Sequence, residues 1–90
     1  MIHKEIVVKG KVQGVYFRAT ARSVAVRLGL TGAVKNLPDG HVWIVAEGPR
    51  HAMDEFIDWC RIGPSGAKVS ALDITEGPLE NISGFEILHS

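Results

Sequence analysis

The sequence predicts an α+β fold in the order β-α-β-β-α-β plus a short C-terminal strand, with two helices on one face of an antiparallel sheet. Three observations predict it. Several segments carry apolar residues at period two, two others carry them at i, i+3, i+4 and i+7, and Gly- or Pro-marked turns separate the two kinds. The 90 residues suit one domain, residues 1–90, near the lower comfortable size for a single core. Its expected radius of gyration is about 12 Å.

Glu5 to Val12 reads as a strand, with Ile6, Val8 and Val12 on one face and Gly10 in the same phase. A glycine inside a strand marks a bulge or a close backbone approach. Gln13-Gly14-Val15 breaks the alternation. From Phe17 to Leu28 the period changes, and Ala21, Val24, Ala25 and Leu28 form the stripe of an amphipathic helix. Gly29 stands where a left-handed C-terminal cap belongs. Thr31 to Leu37 is a second strand, Pro38-Asp39-Gly40 a turn, and His41 to Glu47 the returning strand of a hairpin. Pro49 suits the first turn of a second helix, whose stripe is Met53, Phe56, Ile57 and Cys60 and whose stop is Gly63-Pro64. Val69 to Thr75 reads as a strand, Gly77-Pro78 as a turn, and Phe85 to Leu88 as a short last strand. Two helices with one apolar stripe each cover one sheet face. Right-handed crossovers separated by the hairpin then give the split βαβ sandwich called ferredoxin-like. That fold serves many unrelated functions, so function has to come from particular residues.

Composition removes several classes. Hydrophobic residues are 46% and charged residues 22%, a balance that excludes a disordered or low-complexity chain. The single cysteine, Cys60, excludes an internal disulfide and any CxxC site, and it fits a reducing compartment. No uncharged run exceeds seven residues, against about twenty for a membrane span. The start Met1-Ile2-His3-Lys4-Glu5 lacks the apolar stretch of a signal peptide. A cytoplasmic protein is therefore expected, with a monomer as the default. Net charge is zero, yet residues 1–38 carry +6 and residues 39–90 carry −6. Either these are two solvated faces, or the first half handles a small anion. Nucleic acid is disfavoured, because its binding domains show a basic excess that a pI near 6.9 lacks.

Common site types also fall away. Six residues after Cys60 comes Gly66 rather than the arginine of a cysteine phosphatase, and Cys60 completes a helical stripe, which points to packing. Gly63 to Lys68 lacks the spacing of a nucleotide P-loop and precedes a strand instead of a helix. His3, His41, His51 and His89 are scattered, with no i, i+4 pair and no nearby acid cluster, so a metal site is unsupported.

The informative segment is Gly10-Lys11-Val12-Gln13-Gly14-Val15-Tyr16-Phe17-Arg18, which runs from strand into helix. Successive backbone N–H groups there can form an anion nest, reinforced by the positive helix end. Arg18 falls in the first helical turn, where the macrodipole opposes a cation. Either it is a solvated surface arginine beside a plain turn, or an anion lies between it and the helix end, gripped by a planar fork. The second feature is Asn36, in phase with Gly32 and Val34 before Pro38-Asp39-Gly40. It either helps start the turn or offers an amide that positions a water without titrating.

Together the two segments resemble the acylphosphatase family over essentially the whole chain. The family's first signature, Gly-x-Val-Gln-Gly-Val-x-Phe-Arg, is complete from Gly10 to Arg18. The second is matched by Gly32, Val34, Asn36, Asp39, Gly40 and Val42, with Ala33 where an aromatic residue is usual. The resemblance implies hydrolysis of the carboxyl–phosphate anhydride of small acyl phosphates, without metal or cofactor. It further implies that the loop Gln13, Gly14, Val15, Tyr16, Phe17 and Arg18 binds the phosphate through its amides and the Arg18 guanidinium, while Asn36 orients the attacking water. Two rivals share the fold. One is a non-catalytic phosphoryl-binding or sensing module, as found inside larger hydrogenase-maturation proteins; the chain's own Met1 and intact Arg18 and Asn36 favour the free-standing enzyme. The other is an RNA-binding domain, which relies on exposed aromatics on central strands that residues 5–12 lack.

Overall fold

A computed structural model describes residues 1–89. The elements are β1 (Ile2–Lys11), α1 (Phe17–Arg27), β2 (Thr31–Asn36), β3 (Val42–Gly48), α2 (Arg50–Ile62), β4 (Lys68–Gly77) and β5 (Phe85–Ile87). The five strands lie in the order β4-β1-β3-β2-β5, and the radius of gyration is 11.7 Å. β1 and β4 are longer than alternation alone suggests, because they pair antiparallel along their whole length, from His3 opposite Gly77 to Lys11 opposite Lys68.

The sheet differs from the expected antiparallel one at a single edge. β5 joins β2 in parallel, Gly32 opposite Phe85 and Val34 opposite Ile87. The reason is geometric. β4 ends beside the start of β1, at the same end of the sheet where β2 begins. Residues 78–84 cross that end to the far edge, so β5 must set off in the same direction as β2. Glu47 holds this crossing segment, its carboxylate accepting the N–H of Glu80 at 2.6 Å and of Ile82 at 3.0 Å. The same carboxylate meets buried His3 Nδ1 at 2.7 Å. These bonds hold Glu47 down at about pKa 2, led by the Glu80 N–H and aided by the Ile82 N–H and His3. The period-two pattern gave no sign of this buried polar pair.

Both helices cover one face, as expected. Ile6, Val8 and Val12 of the β1 segment share one core with Ala21, Val24 and Ala25 of α1, and Met53, Phe56, Ile57 and Cys60 complete it from α2. Cys60 is fully buried, and desolvation pushes its thiol pKa up, so it packs rather than reacts. Gly29 caps α1 with φ 78°, its N–H and that of Leu30 bonding to Val26 and Ala25 carbonyls, the Schellman pattern. Gly10 lies at a register shift between β1 and β4. Its φ is 124°, and a Cβ there would lie 2.1 Å from the Lys68 carbonyl oxygen, so only glycine fits this bulge. On the uncovered face Trp43 is partly exposed, with the Lys35 ammonium 4.9 Å from its ring centroid.

Candidate active site

The far end of the sheet is built differently. After buried Val12 the chain turns through Gly14, φ 74°, and Tyr16, φ 61° and ψ 26°, before α1 starts at Phe17. Two left-handed residues in three curl the backbone tightly, and a tyrosine in that conformation is strained by roughly 1–2 kcal/mol. No side chain caps α1, and its first turn holds no acidic residue. The first N–H groups of a helix have no partner within it. Here the residues that start α1, together with loop residues Gln13 and Gly14, line a cleft of about 440 Å³.

Phe17 anchors this loop from below. It is buried, its ring centroid lies 5.2 Å from that of Trp59, and a Cβ on Gly63 would come within 2.9 Å of its Cε2. Val15 is part-buried beside the same 63–67 loop, against the core, and does not line the cleft. The Gln13 side chain is committed to structure: its Nε2 donates to the carbonyls of Leu37 at 2.8 Å and His41 at 2.9 Å. Only the Gln13 backbone is left for a ligand, while its side chain ties the loop to the turn that follows Asn36.

That tie brings the two sequence-predicted features together. Gln13, Gly14, Tyr16, Phe17, Arg18 and Asn36 all line the one cleft. Asn36 ends β2 opposite Val42, on the face it shares with buried Gly32 and Val34, so it points toward the N-terminal end of α1. Arg18 is part-buried, and among the described residues no carboxylate pairs with it. The +6 of the first half is thus divided. Lys9 is bound to Asp73 at 2.7 Å and Lys4 lies 4.0 Å from Glu76, whereas Arg18 faces the cleft. A positive fork, converging N–H donors and a neutral amide can hold a tetrahedral oxyanion and place one water beside it.

Sequence reasoning missed Ile87 and His89, which also line the cleft. They arrive through the parallel pairing of β5 with β2, including the Leu88 N–H to Val34 carbonyl bond of 2.8 Å. That contact joins residues more than fifty positions apart, and no local pattern announces it. Among the described residues no group of three His, Cys, Asp or Glu side chains is placed to hold a metal ion.

Comparisons with known proteins agree with this geometry. The family model described as acylphosphatase matches residues 4–87. A curated acylphosphatase from Gloeobacter violaceus is 48% identical over 89 residues, covering 99% of this chain and 96% of its own. Among solved structures, an acylphosphatase from Bacillus subtilis superposes with a TM-score of 0.96 at 39% identity, covering 99% of this chain and all of its own. One from Coxiella burnetii gives 0.93 at 40% identity, over 97% of this chain and 92% of its own.

Proposed function

The chain belongs to the acylphosphatase family and is a hydrolase of acyl phosphates; from that premise we propose that the Arg18 guanidinium and the amides of Gln13, Gly14, Tyr16, Phe17 and Arg18 hold the phosphate while Asn36 positions the attacking water. The observation that carries this reading is the single cleft in which Arg18, the uncapped start of α1 and Asn36 meet.

The chemistry follows from those parts. The water oxygen attacks phosphorus in line, the bond from phosphorus to the acyl oxygen breaks, and its electron pair leaves with the carboxylate. The proton of the water passes to a phosphate oxygen of the substrate itself. A carboxylate is a stable leaving group and needs no proton donor. Phosphoryl transfer then depends on positioning and charge stabilisation. The backbone N–H groups and the guanidinium meet charge on the equatorial oxygens, and Asn36 holds the water about 3 Å from phosphorus. Positive charge for the phosphate comes from Arg18 and the helix end, so the reading calls for no metal. The same reading takes the protein as a cytoplasmic monomer, which the buried, unpaired Cys60 supports.

Hydrolysis of benzoyl phosphate, followed by loss of ultraviolet absorbance with EDTA present, tests the assignments. Arg18→Ala is expected to lower kcat/KM by more than about a hundredfold, the loss typical of one oxyanion donor. Asn36→Ala is expected to lower kcat while inorganic phosphate still inhibits at its normal concentration, because the water and not the phosphate is displaced. Normal turnover by a folded variant would remove that residue from the mechanism.

A further inference from the structure

A cleft of about 440 Å³ lies within the range of sites for small organic ligands, roughly 300–1,000 Å³. A lone phosphate needs only the end of it that holds Arg18, Asn36 and the loop amides. The remainder is walled by side chains with no task in phosphate binding. On the loop and helix side stand Tyr16 and Ala19; on the strand side stand Ile87 and His89.

Tyr16 is the most telling of these. Its side chain is 84% exposed, so packing does not explain a large aromatic there. Its backbone is left-handed, where glycine or asparagine would sit with less strain. Its hydroxyl makes no hydrogen bond among the described residues. A strained, exposed aromatic at the lip of an anion cradle gains nothing for the fold and offers a face on which a planar group can stack. Across the cleft, Ile87 is half-buried and held firmly. Its strand is hydrogen-bonded to β2, and Arg22 Nε donates to the Phe85 carbonyl at 2.8 Å, tying α1 to the same strand. The width between the two walls is therefore set by hydrogen-bonded elements and not by a free terminus. His89 lies two residues beyond Ile87, and the register that sets Val34 opposite Ile87 carries it toward Asn36.

Resting on the phosphate-cradle reading above, we propose that Tyr16 and Ile87 form an acyl subsite that selects acyl phosphates with an aromatic or similarly broad, planar apolar acyl group, with His89 at its rim. The phosphate end fixes the substrate, and the acyl group leaves the cradle between the Tyr16 ring and the Ile87 side chain. Apolar discrimination in such a pocket is worth about tenfold per methylene-sized contact, rising toward a hundredfold.

The test reads the subsite separately from turnover. Binding of benzylphosphonate and of methylphosphonate is measured by amide chemical-shift titration on the wild type, Tyr16→Asn and Ile87→Thr. Asparagine tolerates the left-handed backbone of position 16, so that variant keeps the loop even if Ile87→Thr unfolds. The wild type is expected to bind benzylphosphonate about tenfold more tightly than methylphosphonate, and this ratio is expected to collapse toward one in Tyr16→Asn. Equal affinity for the two probes in the wild type, or an undiminished ratio in Tyr16→Asn, overturns the subsite. Arg18→Ala measured alongside keeps the two readings apart. If it binds both phosphonates as the wild type does, the cradle reading fails, whatever the aryl preference. If it loses both while the wild type shows no preference, the subsite fails alone.

Discussion

Replacing Arg18 by lysine keeps the charge and removes the fork. In the first turn of α1 a cation is disfavoured by about 0.3–1 kcal/mol through the macrodipole. On the proposed reading arginine suits that setting, since a planar guanidinium can reach two oxygens of one phosphate at once. Lysine offers a single, strongly hydrated point. Arg18→Lys is therefore expected to restore little of the hundredfold loss anticipated for Arg18→Ala, with kcat/KM on benzoyl phosphate as the readout. Recovery to within a fewfold of wild type would mean that charge alone suffices. Arg18 and Asn36 are legible in the sequence because each sits against a local rule: a cation at a helix start, and an amide in phase with buried Gly32 and Val34. The partition within the Gln13–Arg18 loop is not. No residue type there reveals that the Gln13 side-chain amide donates to the Leu37 and His41 carbonyls.

At the scale of elements, a bulge in β4 opposite Gly10 lies just before the loop begins. Lys9 faces Ala71 and Gly10 faces Val69, so the extra residue, Ser70, belongs to β4. β1 keeps its alternation through the shift, and Val12 stays on the core face with Ile6 and Val8 before Gln13 and Gly14 leave the strand. A methyl group at position 10 would meet the Lys68 oxygen at 2.1 Å and the Ser70 nitrogen at 2.8 Å, both backbone atoms. Gly10→Ala must therefore move β4 or flatten the bulge, and about 3 kcal/mol or more of stability is expected to go, from overpacking and backbone strain together. Urea denaturation measures it, and a loss under about 1 kcal/mol would show that the bulge relaxes freely. The bulge is readable because glycine inside a strand has few other causes. The two helices and the hairpin are readable from periodicity and from Pro38-Asp39-Gly40. The parallel edge strand is not, since three residues of β5 hold too short a pattern to name a partner. Its direction depends on where residues 78–84 cross, and that depends on Glu47, a tertiary contact. Ile87 and His89 remained hidden for the same reason.

Over the whole molecule, the sheet has a working end and a fastened end. The fastening centres on one carboxylate: Glu47 is buried, meets His3 Nδ1, and accepts both strap amides. Its pKa is lowered to about 2 from an ordinary 4.5, chiefly by the Glu80 N–H, then by the Ile82 N–H and by His3. A carboxylate whose folded pKa is depressed contributes stability that is fully present above its unfolded value and disappears as pH falls through the folded one. The window therefore runs from about 4.5 down to about 2. Across it, protonation removes the charge opposite His3 and turns an acceptor of two N–H bonds into a group that must aim its own proton somewhere. Glu47→Gln keeps the shape and gives up the charge. The variant is expected to be less stable than the wild type at pH 7, and the gap is expected to close as pH falls through that window. Thermal midpoints at half-unit pH steps would trace this, and hydrogen exchange at the Glu80 and Ile82 amides would show whether the strap loosens first. A gap that stays constant down to pH 2 would mean that the charge of Glu47 does no fastening and that its shape alone holds the strap, leaving β5 and the cleft wall it carries indifferent to acid.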